Sequence, residues 1–301
     1  MAINRADIAK QLLPGLNAIF GLEYAAVDEE ERPLFDMENS DRAFEEEVLM
    51  TGFGAAPTKA EGAAVVYDTA QESWTSRYTA ETVALAFAVT EEAMEDNLYD
   101  TFAKVRARAL ARAMAQTKQV KAANVYNNGF TAGFVGGDGV VLFSAAHPTV
   151  GDGNQSNLET AADLSEGTLE TAIINTHKMK DDRGIFIGAS PVSLHVAPDG
   201  QFDADRILAS PGRPNTDLND INAVRNLGLV PNGYYVNRRF TDADAWFLRN
   251  DCPNGTKMFM RAPLATKMEP DFDTGNLRFK ARERYSFGWS DWRQWRGNKG
   301  T

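Results

Sequence analysis

The chain has 301 residues, 43% hydrophobic and 24% charged, with a formal net charge of −11 and a single cysteine. That length supports one large or two modest domains with a substantial core, and no apolar run approaches the ~20 residues that span a bilayer. The acidic balance opposes sequence-specific DNA binding, which needs a basic surface, and the lone Cys252 excludes an intrachain disulfide and fits a reducing compartment.

The N-terminus, Met1-Ala-Ile-Asn-Arg-Ala-Asp7, is charged and lacks a secretory apolar core, so the chain is expected to stay in the cytoplasm where it is made. The first segment runs to about Glu47. Ile3, Ile8, Leu12 and Leu13 predict a short amphipathic helix ended by Pro14-Gly15, with a second short stretch from Leu16 to Tyr24 and acidic Asp28 to Glu31 after it. Hydrophobic anchors this sparse read either as an arm that packs on something else or as the first two helices of a compact domain. Over residues 48–89, Gly52, Gly54, Pro57 and Gly62 break any helix. Ala63–Tyr67 and Ser73–Val89, with polar Asp68–Glu72 between them, predict a long two-stranded hairpin. Its far region, Tyr67 to Glu81, is polar, and a lone hairpin is only marginally stable, so it needs a neighbour to lie on.

Thr90 suits an N-cap, with Glu91 and Glu92 at the positive end of the helix dipole. Leu98, Phe102, Val105, Ala109, Ala113, Thr117, Val120 and Asn124 recur every three or four positions and predict a helix from Leu98 to about Asn127. At ~1.5 Å per residue it is roughly 40 Å long, and Asn127-Asn-Gly129 ends it. The stripe lacks the large residues of a coiled coil, so the helix reads as a spine crossing a domain. Further on, the pattern predicts a strand at Val140–Phe143, a helix from Ser165 to Lys180 and a hairpin of Ile185–Ile187 with Val192–Val196. It continues with a helix over Pro198–Ser210, a polar loop over 211–222, and short strands at Val230–Tyr235, Trp246–Arg249 and Lys257–Met260. This mixture gives an α/β-type or α+β subdomain. Leu277, Phe279 and Ala281 alternate with Arg278 and Lys280, as a half-exposed strand does, and the strand runs on to Trp289.

No catalytic, cofactor-binding or metal-binding constellation emerges. His147, His177 and His195 have no metal-ligand spacing, and no nucleophile elbow, P-loop or dinucleotide fingerprint occurs. His195 lies in an apolar strand and reads as a core histidine. Cys252 reads as a structural thiol, and Asp203 with Asp205, or Asp242 with Asp244, as solvated carboxylates. Trp289, Trp292 and Trp295, interleaved with Arg293 and Arg296, suit a nucleic-acid stacking surface or, in preference, packing or an intersubunit contact. The candidate contact residues between subunits are therefore Trp74, Arg77 and Tyr78 in the hairpin, and Trp289, Trp292 and Trp295 at the C-terminus.

Three stretches carry a resemblance. Glu91-Glu-Ala-Met-Glu-Asp-Asn-Leu-Tyr99, leading through Arg106-Ala-Arg-Ala-Leu-Ala-Arg-Ala-Met114 to Ala122-Ala-Asn-Val-Tyr-Asn-Asn-Gly-Phe130, resembles the spine-helix region of tailed-bacteriophage major capsid (major head) proteins. Asp138-Gly-Val-Val-Leu-Phe-Ser-Ala-Ala-His-Pro148 is similar to their next segment. Arg282-Glu-Arg-Tyr-Ser-Phe-Gly-Trp-Ser-Asp-Trp-Arg-Gln-Trp-Arg-Gly297 looks like their C-terminal signature, and the Mu-like head-subunit group is the nearest in kind. The resemblance covers most of residues 85–301. It implies an α+β, Hong Kong 97-type capsid fold: N-terminal arm 1–47, extended loop 48–89, peripheral domain 90–130 with 259–301, and axial domain 131–258. It also implies a non-enzymatic subunit that assembles as hexamers and pentamers around double-stranded DNA, bound without sequence specificity and without a membrane. A separate scaffolding protein, a portal and room for a decoration protein go with it. Lys59, the lysine of the hairpin, is expected to form no crosslink. The rival class is an α/β, hydrolase-like enzyme with an unrecognised site.

Overall fold

The computed structural model describes residues 5–90, 92, 99–212, 221–271 and 273–301. In chain order the elements are helix α1 (Arg5–Ala25), strands β1 (Asp36–Asn39), β2 (Phe44–Met50), β3 (Glu72–Thr79) and β4 (Glu81–Val89), and the long helix α2 (Tyr99–Asn127). Then come β5 (His147–Pro148), β6 (Asn154–Gln155), α3 (Glu166–His177), β7 (Pro191–Val196), α4 (Gln201–Ala209) and α5 (Ala223–Asn226). The chain closes with β8 (Tyr234–Val236), β9 (Trp246–Asn250), β10 (Thr256–Pro270), β11 (Leu277–Trp289) and β12 (Trp295–Asn298).

Two four-stranded sheets organise these elements. The first has the order β1-β10-β11-β4 and the second β12-β9-β7-β8. In the first, β10 and β11 form a long antiparallel pair, bulged between Met260 and Ala265. The bulge accommodates Pro263, which cannot donate to a ladder. Leu277, Phe279 and Ala281 of β11 are buried and the basic residues between them are exposed, so the alternation seen in the sequence is the burial pattern of the strand. The segment expected to be a short strand at Lys257–Met260 is the start of the 15-residue β10.

Helix α2 is the predicted spine, and it lies on the sheet with its other face turned inward. Ala103, Ala107, Leu110, Ala111, Met114, Ala122, Ala123 and Tyr126 are buried. Val105, Ala109, Val120 and Asn124, from the expected core stripe, are exposed. Leu98 and Glu91 lie outside the described residues. In a helix this rich in alanine, hydrophobicity separates the faces poorly, and close approach selects the face of smallest side chains. Ala103, Ala107 and Ala111 admit Phe279 and Ala281 of β11 on one side and Leu16 and Phe20 of α1 on the other.

Four further expectations are corrected. α1 runs through Pro14-Gly15 as one 21-residue helix, and its Leu16 and Phe20 are buried against α2 and β11. Ala63–Tyr67 is not a strand. The predicted single strand 73–89 breaks at Ala80: β3 pairs with β2, while β4 joins the first sheet beside β11. Finally, β7 pairs with β9 and β8 and not with Ile185–Ile187, where Phe186 makes one isolated bridge to Lys180. Val140–Phe143 likewise yields one bridge, Val135 to Val141. By contrast, α3 starts where Ser165 forms a capping box with Thr168, and α4 follows a single turn at Pro198–Gly200.

The choice of helix face gives a paired test. Ala111→Leu overpacks the interface and should lower unfolding free energy by about 1–3 kcal/mol, whereas Ala109→Leu should stay within about 0.5 kcal/mol. Urea denaturation of the two variants distinguishes them.

Candidate functional site

The six residues proposed from sequence as intersubunit contacts do not form one surface. Trp292 and Trp295 are 1% and 0% exposed and sit inside the chain's own core. Trp295 packs edge-on to Tyr126, with ring centroids 4.8 Å apart, and against His195 at 5.0 Å. Its Nε1 donates to Thr256 Oγ1 at 2.8 Å. Trp292 stacks on His147 at 4.4 Å with 11° between planes, and the Arg293 guanidinium lies 4.5 Å from its ring centroid. Trp289 is half-buried and packs so closely on Gly136 that a Cβ there would collide with its indole. Tyr78 is buried; it meets Phe259 at 4.8 Å, and its hydroxyl lies 2.6 Å from Ser290 Oγ. A Cβ at Gly288 would stand 2.8 Å from the Tyr78 ring, so glycine is what lets the strands close there. Trp74 donates from Nε1 to the Ser290 carbonyl at 3.0 Å. Of the six, Arg77 alone has a mostly exposed side chain; it lies over the Phe44 ring at 4.0 Å and near Glu46. Aromatic side chains at regular spacing therefore mark an internal anchor in this chain, because they have the most apolar area to bury.

That anchor carries buried charge. Arg293 is 3% exposed and bonds to Asp182 at 2.7 Å and to the Lys180 carbonyl at 3.0 Å, with Asp291 at 3.3 Å. Burial raises the Asp291 carboxyl above its ordinary range, against the pull of Arg293. Arg296 pairs with Glu159 at 2.9 Å, and burial lowers its pKa. His147 is fully buried, with Asp138 Oδ2 2.6 Å from Nδ1 and Asn157 Oδ1 3.0 Å from Nε2. The Asn157 amide orientation is fixed, since its Nδ2 donates to the carbonyls of Leu142, Trp292 and Trp295. Nε2 of His147 then donates to Asn157 Oδ1. These contacts tie residues 138–182 to the last ten residues of the chain.

The opposite behaviour is found outside the anchor. Residues 52–71 are almost wholly exposed, with Phe53 at 63%, Val65 at 66%, Val66 at 68% and Tyr67 at 94%. The feet of this loop are fixed: Thr51 N–H donates to the Gln71 carbonyl at 2.8 Å, and Asp68 accepts from Gly54 N–H at 2.7 Å and pairs with Arg183 at 2.9 Å. At the base of the β2–β3 ribbon, Lys257 contacts Glu47 at 2.5 Å and Glu38 at 2.9 Å. Burial works against the ammonium, but the bonds from Glu47 and Glu38 prevail and hold its pKa above the usual value.

Among the described residues, the buried histidine and cysteine are not set for catalysis. His195 bonds to Ser193 Oγ at 2.9 Å, and burial with the nearby Arg249 pushes its pKa down to about 3, so it is a neutral core histidine. Burial, with Asp291 and Asp251 nearby, pushes the Cys252 thiol up to about 12, the reverse of what a nucleophile needs. Among the described residues no group of His, Cys, Asp or Glu could hold a metal ion, and no helix is long and apolar enough to cross a membrane. An open groove of about 340 Å³ between α2 and β11 is lined by Glu81, Lys121 and Trp289, and its two charged groups are already paired with each other.

The fold itself is that of viral shell subunits. The chain superposes on the capsid of a native GTA particle with TM-score 0.55 at 14% identity, covering 92% of each chain. It matches the procapsid of bacteriophage JBD30 with TM-score 0.52 at 14% identity, over 99% of this chain and 77% of that one. A Microbacterium phage Oxtober96 chain matches with TM-score 0.51 at 13% identity, over 100% and 99%. The α+β, Hong Kong 97-type capsid fold expected from the resemblance is thus the observed one. The phage capsid protein family model matches residues 71–297, and the chain belongs to that family. No curated protein matches it. It is a structural, shell-forming protein of the virion and not an enzyme.

His195 supplies a pH test. Unfolded, it takes up a proton below about pH 6.5; folded, it stays neutral down to about pH 3. The unfolded state therefore binds more protons in that window, and stability falls as pH drops through it, by on the order of a few kcal/mol in full. A His195→Gln variant should lose less stability between pH 6.5 and pH 4 than the parent chain in urea titrations. Trp295→Ala should cost about 3–5 kcal/mol at neutral pH, the loss of a fully buried indole.

Proposed function

We propose that this subunit builds an icosahedral phage head from hexamers and pentamers around double-stranded DNA. The observation that carries the proposal is the loop 52–71: a folded chain has no reason to hold Val65, Val66 and Tyr67 in water unless another surface covers them. In this reading the β2–β3 ribbon and its loop make up the extended loop of residues 48–89. Residues 90–130 with 259–301 form the peripheral domain, and residues 131–258 the axial domain. The first 47 residues correspond to the arm by position, although α1 is docked on α2. Arg77 and the loop are the contact residues; Trp74, Tyr78, Trp289, Trp292 and Trp295 act by holding the ribbon and the C-terminus in place. Repetition makes modest contacts sufficient, since each subunit is held by many neighbours at once.

A separate scaffolding protein, a portal and a decoration protein are the partners such a head uses, with assembly in the host cytoplasm and kinship to the Mu-like head subunits. DNA is contained more than gripped. Arg278, Lys280 and Arg282 form a local basic row on the exposed side of β11, but the chain as a whole carries −11. DNA binding by the free subunit is expected to be weak, without sequence preference, and lost as salt rises.

Negative-stain electron microscopy of the purified chain, with its scaffold co-expressed, tests the reading: closed shells or hexameric and pentameric rings are expected. Discrete small oligomers would favour the enzyme class instead. Replacing residues 55–67 by a short Gly-Ser turn should leave subunits folded, with an unchanged thermal midpoint, while abolishing closed particles. Normal particles from that variant would remove the loop from the assembly mechanism.

A further inference from the structure

Two features left open within one chain match each other. The first is the edge of the first sheet. β4 is a nine-residue strand paired with β11 in unbroken register from Val89 to Glu81. Among the described residues no strand pairs with its other side. From Thr82 to Val89 it reads Thr-Val-Ala-Leu-Ala-Phe-Ala-Val, with no charge, no proline and no bulge. Soluble proteins blunt such edges with lysine, proline, bulges or inward charges, because a long uncharged edge is a template for another strand. Here none of those devices is present. Leu85, on the face turned towards α2, is 49% exposed, and Ala84, Ala86 and Ala88 on the other face are exposed too.

The second feature is Ala63-Ala-Val-Val-Tyr67. Its composition is that of a strand, rich in β-branched and aromatic residues, yet it has no strand conformation in the folded chain. Ala63 N–H bonds to the Ala60 carbonyl in a turn. Among the described residues, no hydrogen bond is made by the backbone of residues 64–67. The segment runs directly into the foot at Asp68, which is held by Gly54 and Arg183, so its exposed face is presented from a fixed end.

We infer that Ala63–Tyr67 of one copy adds as a fifth strand to the β4 edge of a second copy. The inference rests on the shell-building reading and names its joint. Strand addition satisfies the open backbone groups of both partners, and side-chain alternation supplies the fit. If Ala63, Val65 and Tyr67 point to the α2 side, they cover Leu85. Ala64 and Val66 then lie beside the exposed alanines, whose small side chains leave room. The segment is uncharged, as the edge is. Glu61 and Asp68 lie just beyond its ends.

The test uses pairs of chains, each with Cys252→Ala and one new thiol. One chain carries Val66→Cys; the other carries Ala84→Cys, Ala86→Cys or Ala88→Cys, which together cover the registers on that face. After co-assembly and mild oxidation, a disulfide-linked heterodimer is expected in the assembled fraction with one of the three partners and not with a control thiol at Ala109→Cys. Shells or rings that form without such a link overturn the edge pairing and leave the shell reading standing. Chains that stay monomeric overturn both. As an independent arm, Leu85→Lys places an inward charge on the edge without disturbing a buried position. It should keep the parent's circular dichroism and thermal midpoint while reducing the yield of closed particles at least tenfold; undiminished yield overturns the inference.

Discussion

The structure depends on one aromatic joint, Tyr126 against Trp295. Tyr126 ends the buried face of the spine helix, and its ring meets Phe35, Phe143, Phe240, Phe247 and Trp295 with centroids between 4.8 and 6.4 Å. Its hydroxyl donates to the Leu34 carbonyl at 2.8 Å, and Thr256 Oγ1, which receives the Trp295 indole N–H, lies 3.2 Å away. The spine, the first strand of the long pair, both sheets and the C-terminal strand thus meet within one cluster. Burial of so many large rings is the largest favourable term available to the chain, and polar partners for the hydroxyl and indole make the arrangement unique.

Around that joint the protein accepts buried charge. Arg293 with Asp182 and Asp291, and Arg296 with Glu159, are inside. Pairs of this kind add little net stability, because desolvation offsets their attraction, but removing one partner leaves an uncompensated charge. Their effect is geometric: they fix where the last ten residues thread between the sheets. Gly297 shows how tight that path is, since a Cβ there would stand 2.5 Å from the Phe143 ring.

Against this rigid interior, the exposed apolar residues include a contiguous run in the ribbon loop, Val65 to Tyr67, and Leu85 on one sheet edge. The ribbon and its loop are connected to the interior through a few fixed points, Ser290, Glu47 and Lys257 at the ribbon base and Asp68 with Arg183 at the loop foot, whereas the edge strand is paired with β11 along its length. A subunit built this way presents exposed apolar segments on a stiff frame.

The sequence by itself determined the local elements whose signals are strong: the long helix ending near Asn127, the capped helix after Ser165, and the alternating strand Leu277–Trp289. It also determined the family, through the ordered phrases from Glu91 to Gly297. What it could not settle were choices between near-equal options. Which face of an alanine-rich helix is buried depends on how closely β11 and α1 approach, not on the helix's own pattern. Whether Pro14-Gly15 ends a helix depends on Leu16 and Phe20 finding a core. Whether Ser73–Val89 is one strand or two depends on Tyr78 and Trp74 reaching Ser290. The C-terminal tryptophans read as an interface because composition alone cannot distinguish a surface that binds a partner from one that binds the rest of its own chain. In each case long-range packing decided, since burial energy is earned only between segments distant in sequence.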